Sequence, residues 1–268
     1  MSTIFETFKP KSSTIKKYVD YYYLDIKPNN STSNFQCFPH YNNTISLYKP
    51  NIQLEVNEIL FKANKNSLQI FTPIREKILS VKQKGKVYRV VIVFHPLGIQ
   101  QFYKDLCFDK FISDFDFFNR NELEEIFSTK NTIQITQLLD NFLEERFEKF
   151  EHPLLEKTLE YIFNNYDDFK VEELSKAVNI SRQHLNKVFK SHFGLSIKSY
   201  HKIVLFRKTI HQKLFENPED NFTKVAHQFN YNDQSHFIKI YKALTGNSPK
   251  SFFSKGTLLG NEDTFWHL

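Results

Sequence analysis

The sequence predicts an α+β protein. A β-rich, barrel-like N-terminal domain with helices precedes an all-α C-terminal domain, in which a linker helix joins two helix-turn-helix units. Two observations predict this. Short runs of aromatic and β-branched residues, separated by turn residues, fill roughly the first 110 positions. Further on, apolar residues recur at helical spacing, and two stretches repeat the order short helix, tight turn, second helix, glycine stop.

Composition sets the bounds. The 268 residues are enough for two domains, and 29 Phe and 13 Tyr readily fill their cores. Net charge is +6, unevenly spread. Lys170 to Gly256 holds 15 Lys/Arg against 6 Asp/Glu, a net +9, so the remainder sums to −3. A basic segment on a near-neutral chain suits a polyanionic partner; on charge alone, a solvated basic surface fits equally.

Cys37 and Cys107 lie 70 residues apart, fit no metal or redox spacing, and read as buried free thiols. The sequence has no HExxH, GxSxG, GxxxxGK or GxGxxG, so no enzyme, cofactor or metal site is expected. His40 and His95 lack the closely spaced His and Glu of a barrel metal site. The start, MSTIFETFKPKSS, lacks a signal peptide's apolar run, and no stretch approaches the ~18–20 apolar residues of a membrane span. A cytoplasmic protein is expected.

The N-terminal strands are expected at Val19–Ile26, Ile45–Tyr48, Ile52–Val56, Leu68–Phe71 and Val87–Phe94. The last is nearly all apolar, so it should be buried on both faces. Pro28-Asn-Asn-Ser and Lys62–Ser67 read as turn-rich connections, and Pro96 and Gly98 as a turn. From Phe111 the pattern becomes helical. A short helix is expected at Glu122–Phe127, then a longer one at Ile133–Phe150. Ile135, Leu138, Leu139, Phe142, Arg146, Phe147 and Phe150 lie near one face of the longer helix, with Asp140, Glu144, Glu145, Glu148 and Lys149 opposite. That apolar face fits either packing on its own barrel or self-association. His152-Pro153 marks a junction, with Pro153 in the first turn of a helix running to Tyr166.

The first unit has a supporting helix at Val171–Val178, a turn at Asn179-Ile180, and a second helix from the cap Ser181 to His192. Ser196 caps the linker helix, Ile197–Phe215, which at about 1.5 Å per residue spans roughly 28 Å. In the second unit, Asn230-Tyr231-Asn232 interrupts the helical pattern and Asp233 caps the following helix. Phe237, Ile240, Tyr241 and Leu244 form its buried side, Gly246 ends it, and Pro249 prevents continuation. The caps Ser181 and Asp233 fall 52 residues apart in two similar units. The linker could hold those units on successive major grooves, ~34 Å apart, on one side of DNA.

Ala226, Phe229, Tyr231, Asp233, Ser235-His236-Phe237, Gly246, Ser248-Pro249 and Phe252 stand in the order and spacing of the AraC/XylS signature, and SRQHLNKVFKSHFGLSIKSY also resembles that family. The chain is identified as a suspected AraC/XylS-type transcriptional regulator. The resemblance implies an effector-sensing or dimerising cupin-like domain at 1–152, a DNA-binding domain at 153–256 and a tail at 257–268. Ser181, Gln183, Asn186, Lys187, Lys190, Gln234, Ser235, His236 and Lys239 are the expected DNA-binding residues. Gln183 and Asn186 suit adenine and Lys187 suits guanine, whereas His236 either reads a base or braces its helix. Lys190, Lys198, Lys202 and Arg207 are candidate phosphate contacts.

The expected partner is promoter DNA, with activation ahead of repression. RNA polymerase, a small-molecule effector and a homodimer partner complete the expectation. The competing reading is an interaction module that titrates another AraC-type regulator without reading DNA.

Three departures bear on the fit. Lys170 replaces the usual Ser or Thr cap, Ser175 a common Ala, and Asn230 the usual turn Gly. Asn tolerates a left-handed backbone, so the second turn can survive.

Overall fold

The structure is a computed structural model that describes residues 3–63, 66–103, 106, 108, 112–113, 116–231 and 233–268. Cys107, Phe111 and Asn232 lie outside the described residues.

The first half is organised on two long antiparallel strands, β2 (Val19–Cys37) and β7 (Leu79–Phe94), which follow β1 (Ile4–Phe8) and pair along almost their whole length. Their pairing register shifts between Lys27 and Ser31. Pro28-Asn-Asn-Ser is therefore not the expected connection: it lies within β2 as an irregularity, the place in a ladder where a proline is tolerated. β3 (Asn43–Tyr48) and β6 (Leu68–Thr72) extend the sheet beside the second half of β7. The hairpin β4 (Ile52–Val56)–β5 (Ile59–Ala63) extends it beside the first half, so Lys62 and Ala63 belong to a strand rather than a turn. β8 (Ile112–Ser113) pairs with β6.

Each long strand divides its side chains between two cores, because successive residues point to opposite faces. Val90, Ile92 and Phe94 face α1 (Arg120–Ile126) and α2 (Thr132–Glu145). Val81, Val87, Val91 and Val93 face the barrel interior. The apolar face of α2, with Ile135, Leu139 and Leu143, is spent on the first of these cores, which favours the packing reading over self-association through that face. Asp140, expected on the polar side, is buried. It accepts hydrogen bonds from the Tyr22 hydroxyl and the Lys11 and Ser12 amides at 2.7, 2.7 and 2.8 Å, which offset its desolvation.

The second half is helical. α3 (Pro153–Asn164), α4 (Val171–Ala177) and α5 (Arg182–Phe193) close around Leu159, Leu174, Leu185 and Phe189. α6 (Ile197–His211) continues into a single π-helical turn, Gln212–Glu216. α7 (Phe222–Gln228), α8 (Gln234–Thr245) and α9 (Pro249–Lys255) close around Phe206, Phe237, Tyr241 and Phe252.

The final segment is not a loose tail. β9 (Thr257–Leu258) and β10 (Phe265–His267) form a hairpin, and β10 pairs with β2 through Trp266 opposite Cys37 and His267 opposite Gln36. The β-rich half also reaches the helical cores directly. Ile74, Leu97 and Tyr41 pack with the α3–α5 cluster, and Phe38 and Ile78 with the α7–α9 cluster.

Candidate nucleic-acid interface

Local chemistry builds each unit. Ser181 and Asp233 cap α5 and α8 by accepting the His184 and His236 amides at 3.3 and 2.6 Å. Both helices stop on a left-handed glycine, Gly194 (φ 75°) and Gly246 (φ 67°). The two turns match as well: Asn179 and Asn230 adopt φ of 53° and 50°, so Asn does serve at position 230. At the start of α4, Lys170 makes no side-chain cap, whereas the Ser175 hydroxyl donates to the Ile180 carbonyl at 2.6 Å and braces the turn.

The sequence-derived reading residues divide into two groups. Ser181, Gln183, Lys187, Lys190, Gln234, Ser235 and Lys239 are exposed. Asn186 and His236 are half-buried. The Asn186 carbonyl oxygen accepts the Ile197 amide at 3.1 Å, tying α5 to the start of α6 and leaving chiefly the amide NH₂ for a partner. His236 sets its ring against Tyr231 at 5.7 Å, and its Nδ1 is buried without a hydrogen bond. Lys198 and Lys202 are exposed on α6.

Arg207 is not available to phosphate. It is 4% exposed, donates to the Pro39 and Phe38 carbonyls at 2.6 and 2.9 Å, and pairs with Asp263 at 2.9 Å. It ties the linker helix to both the barrel and the C-terminal segment. Ile203 and Ile210, four residues before and three after it, are buried too, so helical spacing already placed Arg207 on the inward face.

A second site lies in the β-rich half, beside this tie. A cavity of about 100 Å³ is lined by aromatic residues including Tyr23, Phe35, Tyr48 and Trp266, with polar groups among them. Three guanidinium groups border it, those of Arg75, Arg89 and Arg207. Arg89 pairs with buried Asp25 at 2.8 Å and Arg207 with Asp263. Burial opposes the charge on Asp263, yet Arg207 and His40 hold its carboxyl below the usual range.

Arg75 has no hydrogen bond or ion pair among the described residues. Part of its side chain reaches solvent, but its Nε is covered and unpartnered. Burial pushes the guanidinium down to about 10. The Cys37 thiol borders the same cavity and is pushed up to about 11 by burial. Composition had shown the aromatic richness, but only the fold brings Arg75, Arg207 and Asp263 to one wall.

These features define a double helix-turn-helix protein with a β-rich half and an internal cavity. Residues 174–255 match the family described as a helix-turn-helix domain, with the signature of its AraC type. Over 83 residues the chain is 34% identical to the Msm operon regulatory protein of Streptococcus mutans serotype c (strain ATCC 700610 / UA159), covering 31% of this chain and 29% of that relative.

Similarity to ToxT from Vibrio cholerae extends to the fold of both halves. One ToxT structure superposes with a TM-score of 0.51 at 12% identity, covering 87% of this chain and 97% of that one. Another, wild-type ToxT from V. cholerae strain SCE256 bound to an unsaturated fatty acid, gives 0.51 at 13% identity, covering 90% and 98%. No helix among the described residues is long and apolar enough to cross a membrane.

Proposed function

We propose that the chain is a cytoplasmic, sequence-specific transcriptional regulator, with residues 153–256 reading promoter DNA and residues 1–152 sensing an effector. One observation carries the reading. Two separately capped helices, α5 and α8, present exposed hydrogen-bonding and basic side chains near their N-terminal ends, and the linker helix α6 joins the two units. Gln183, Lys187, Gln234, Ser235 and Lys239 are the proposed base readers. Ser181 and Asn186 position the first helix, His236 braces the second, and Lys190, Lys198 and Lys202 hold phosphates. Activation is the proposed regulatory sense, with RNA polymerase as partner, and a promoter–reporter fusion distinguishes it from repression. No catalytic role is proposed. The exposed polar faces of both helices count against the titrating-module reading.

The proposed effector is a compact organic acid. Two carboxylates against three guanidinium groups leave one cation uncompensated at the cavity, and an unpaired charge with covered nitrogen is costly unless a ligand completes it. The cavity, about 100 Å³, is smaller than the ~150 Å³ apolar space that admits benzene, so even a compact acid such as benzoate must displace part of the wall to enter. The unsaturated fatty acid held by ToxT supports an acid as the ligand class.

Selection of duplexes from a random library by the full chain tests the DNA reading. Enrichment of a shared motif of about 20 bp supports it. Absence of any motif, with or without added benzoate, contradicts it and favours the titrating module. Thermal stabilisation by benzoate that is lost in Arg75→Gln supports the acid site; stabilisation indifferent to that change removes Arg75 from it.

A further inference from the structure

The last twelve residues do more than end the chain. They leave α9, form the β9–β10 hairpin and add β10 to the free edge of β2 in the other half of the molecule. Strand alternation then gives β10 two different partners. Phe265 and His267 face the second helix-turn-helix unit. The Phe265 ring lies 5.1 Å from Phe252 and 5.8 Å from Phe253, and His267 Nε2 donates to the Phe252 carbonyl at 3.0 Å. Trp266, between them, faces the cavity. It stacks on Phe35 at 4.9 Å and 11°, meets Tyr23 edge-on at 6.0 Å, and lies 5.5 Å from the Arg89 guanidinium.

The approach to the strand is fastened on both sides as well. Asp263 bridges Arg207 of the linker helix and His40 of the β-rich half at 2.9 and 3.2 Å, and Glu262 pairs with Lys9 at 2.9 Å. Phe252 in turn packs on Tyr241 of α8.

We propose that residues 257–268 are the coupling element between the cavity and the second reading unit: a ligand in the cavity displaces Trp266 and Asp263, and the same strand carries the displacement through Phe265 and His267 to Phe252 and α8. The coupling rests on the effector reading above. It requires no long chain of contacts, because one three-residue strand touches both sites. The first unit has no such strand. Among the described residues its direct ties to the β-rich half are hydrogen bonds from the Gln100 amide to the His192 carbonyl at 3.3 Å and from the Tyr200 hydroxyl to the Tyr41 carbonyl at 3.5 Å, together with Tyr41, Leu97 and Ile74 packing. Effector binding should therefore act on the two units unequally.

Coupling is reciprocal, so it can be driven from either end without knowing the natural effector. Trp266 is the only tryptophan in the chain, so intrinsic emission reports on this strand alone. From the helical end, Gly256→Ala is the specific perturbation. Gly256 has an ordinary backbone (φ −78°), but an added Cβ would run into the Phe265 ring. In the full chain, that variant should red-shift Trp266 emission as the indole leaves its stack on Phe35.

From the cavity end, Trp266→Phe keeps an aromatic ring while loosening the wall. Amide hydrogen exchange should then rise about tenfold across residues 234–255 and stay within about twofold across residues 182–193. Unchanged emission in Gly256→Ala, or equal exchange changes in both units, overturns the coupling. Benzoate separates the two claims. If it neither stabilises the protein nor shifts Trp266 emission, while both variants behave as stated, the effector reading fails and the mechanical coupling stands. If benzoate binds but leaves exchange across residues 234–255 unchanged, the coupling fails and the acid site stands.

Discussion

The two helix-turn-helix units are nearly the same object locally and different objects globally. Each has a capped second helix, a left-handed Asn in its turn and a left-handed Gly stop. Their surroundings diverge. The first packs on α3 and uses Asn186 to fasten α5 to the linker. The second is held against the β-rich half by a returning strand and, through Asp263, by the buried Arg207. Shared local rules therefore make two readers, while unequal long-range ties join only one of them to a strand that also lines the cavity.

The largest effect is expected from Arg207→Met. It leaves two carbonyls without their donor and Asp263 with His40 alone, and losing one partner of a largely buried pair costs about 3–5 kcal/mol. Denaturant unfolding should show that loss. A loss below about 1 kcal/mol, the range of exposed pairs, would mean that the tie is solvated.

Core truncations probe the two units separately. Leu185 and Phe237 are fully buried in equivalent helices. Leu185→Ala should cost about 2–5 kcal/mol and Phe237→Ala about 3–5 kcal/mol. Only the second should also move Trp266 emission, since Phe237 packs on Tyr241 and thence on Phe252. The caps are a smaller test: Ser181→Ala and Asp233→Ala should each cost about 1 kcal/mol and lower affinity for DNA by fraying the reading end of the helix. The smallest effect belongs to Glu172→Ala. Its pairing with Arg182 is 2.5 Å long, but both side chains are more than half exposed, so calorimetry should find an unfolding midpoint unchanged within error.

Legibility in the sequence followed the range of the interactions. Caps, stops and turns act within four residues, so the helical half could be read nearly element by element, down to Asn230 in a left-handed turn. The β-rich half depends on pairing between distant residues. Its main strands were visible as apolar runs, yet Pro28 looked like a turn because the irregularity that tolerates it exists only once β2 lies against β7. β10 was missed because three residues carry little pattern and their partners, Cys37 and Gln36, are far away in the chain. Asp140 looked like a surface residue because its donors, Tyr22 and the Lys11 and Ser12 amides, come from the opposite end of the domain. Arg207 was misplaced for a different reason: its residue type suggested phosphate while its spacing with Ile203 and Ile210 already said core.

The most direct test of the two-reader arrangement is hydroxyl-radical footprinting of the full chain on its selected duplex, alongside Lys187→Ala and Lys239→Ala. Two protected patches on one DNA face are expected, centred about one helical turn apart, with each variant weakening only its own patch. A single patch, or two patches that weaken together in either variant, would contradict the proposal that α5 and α8 each read a groove.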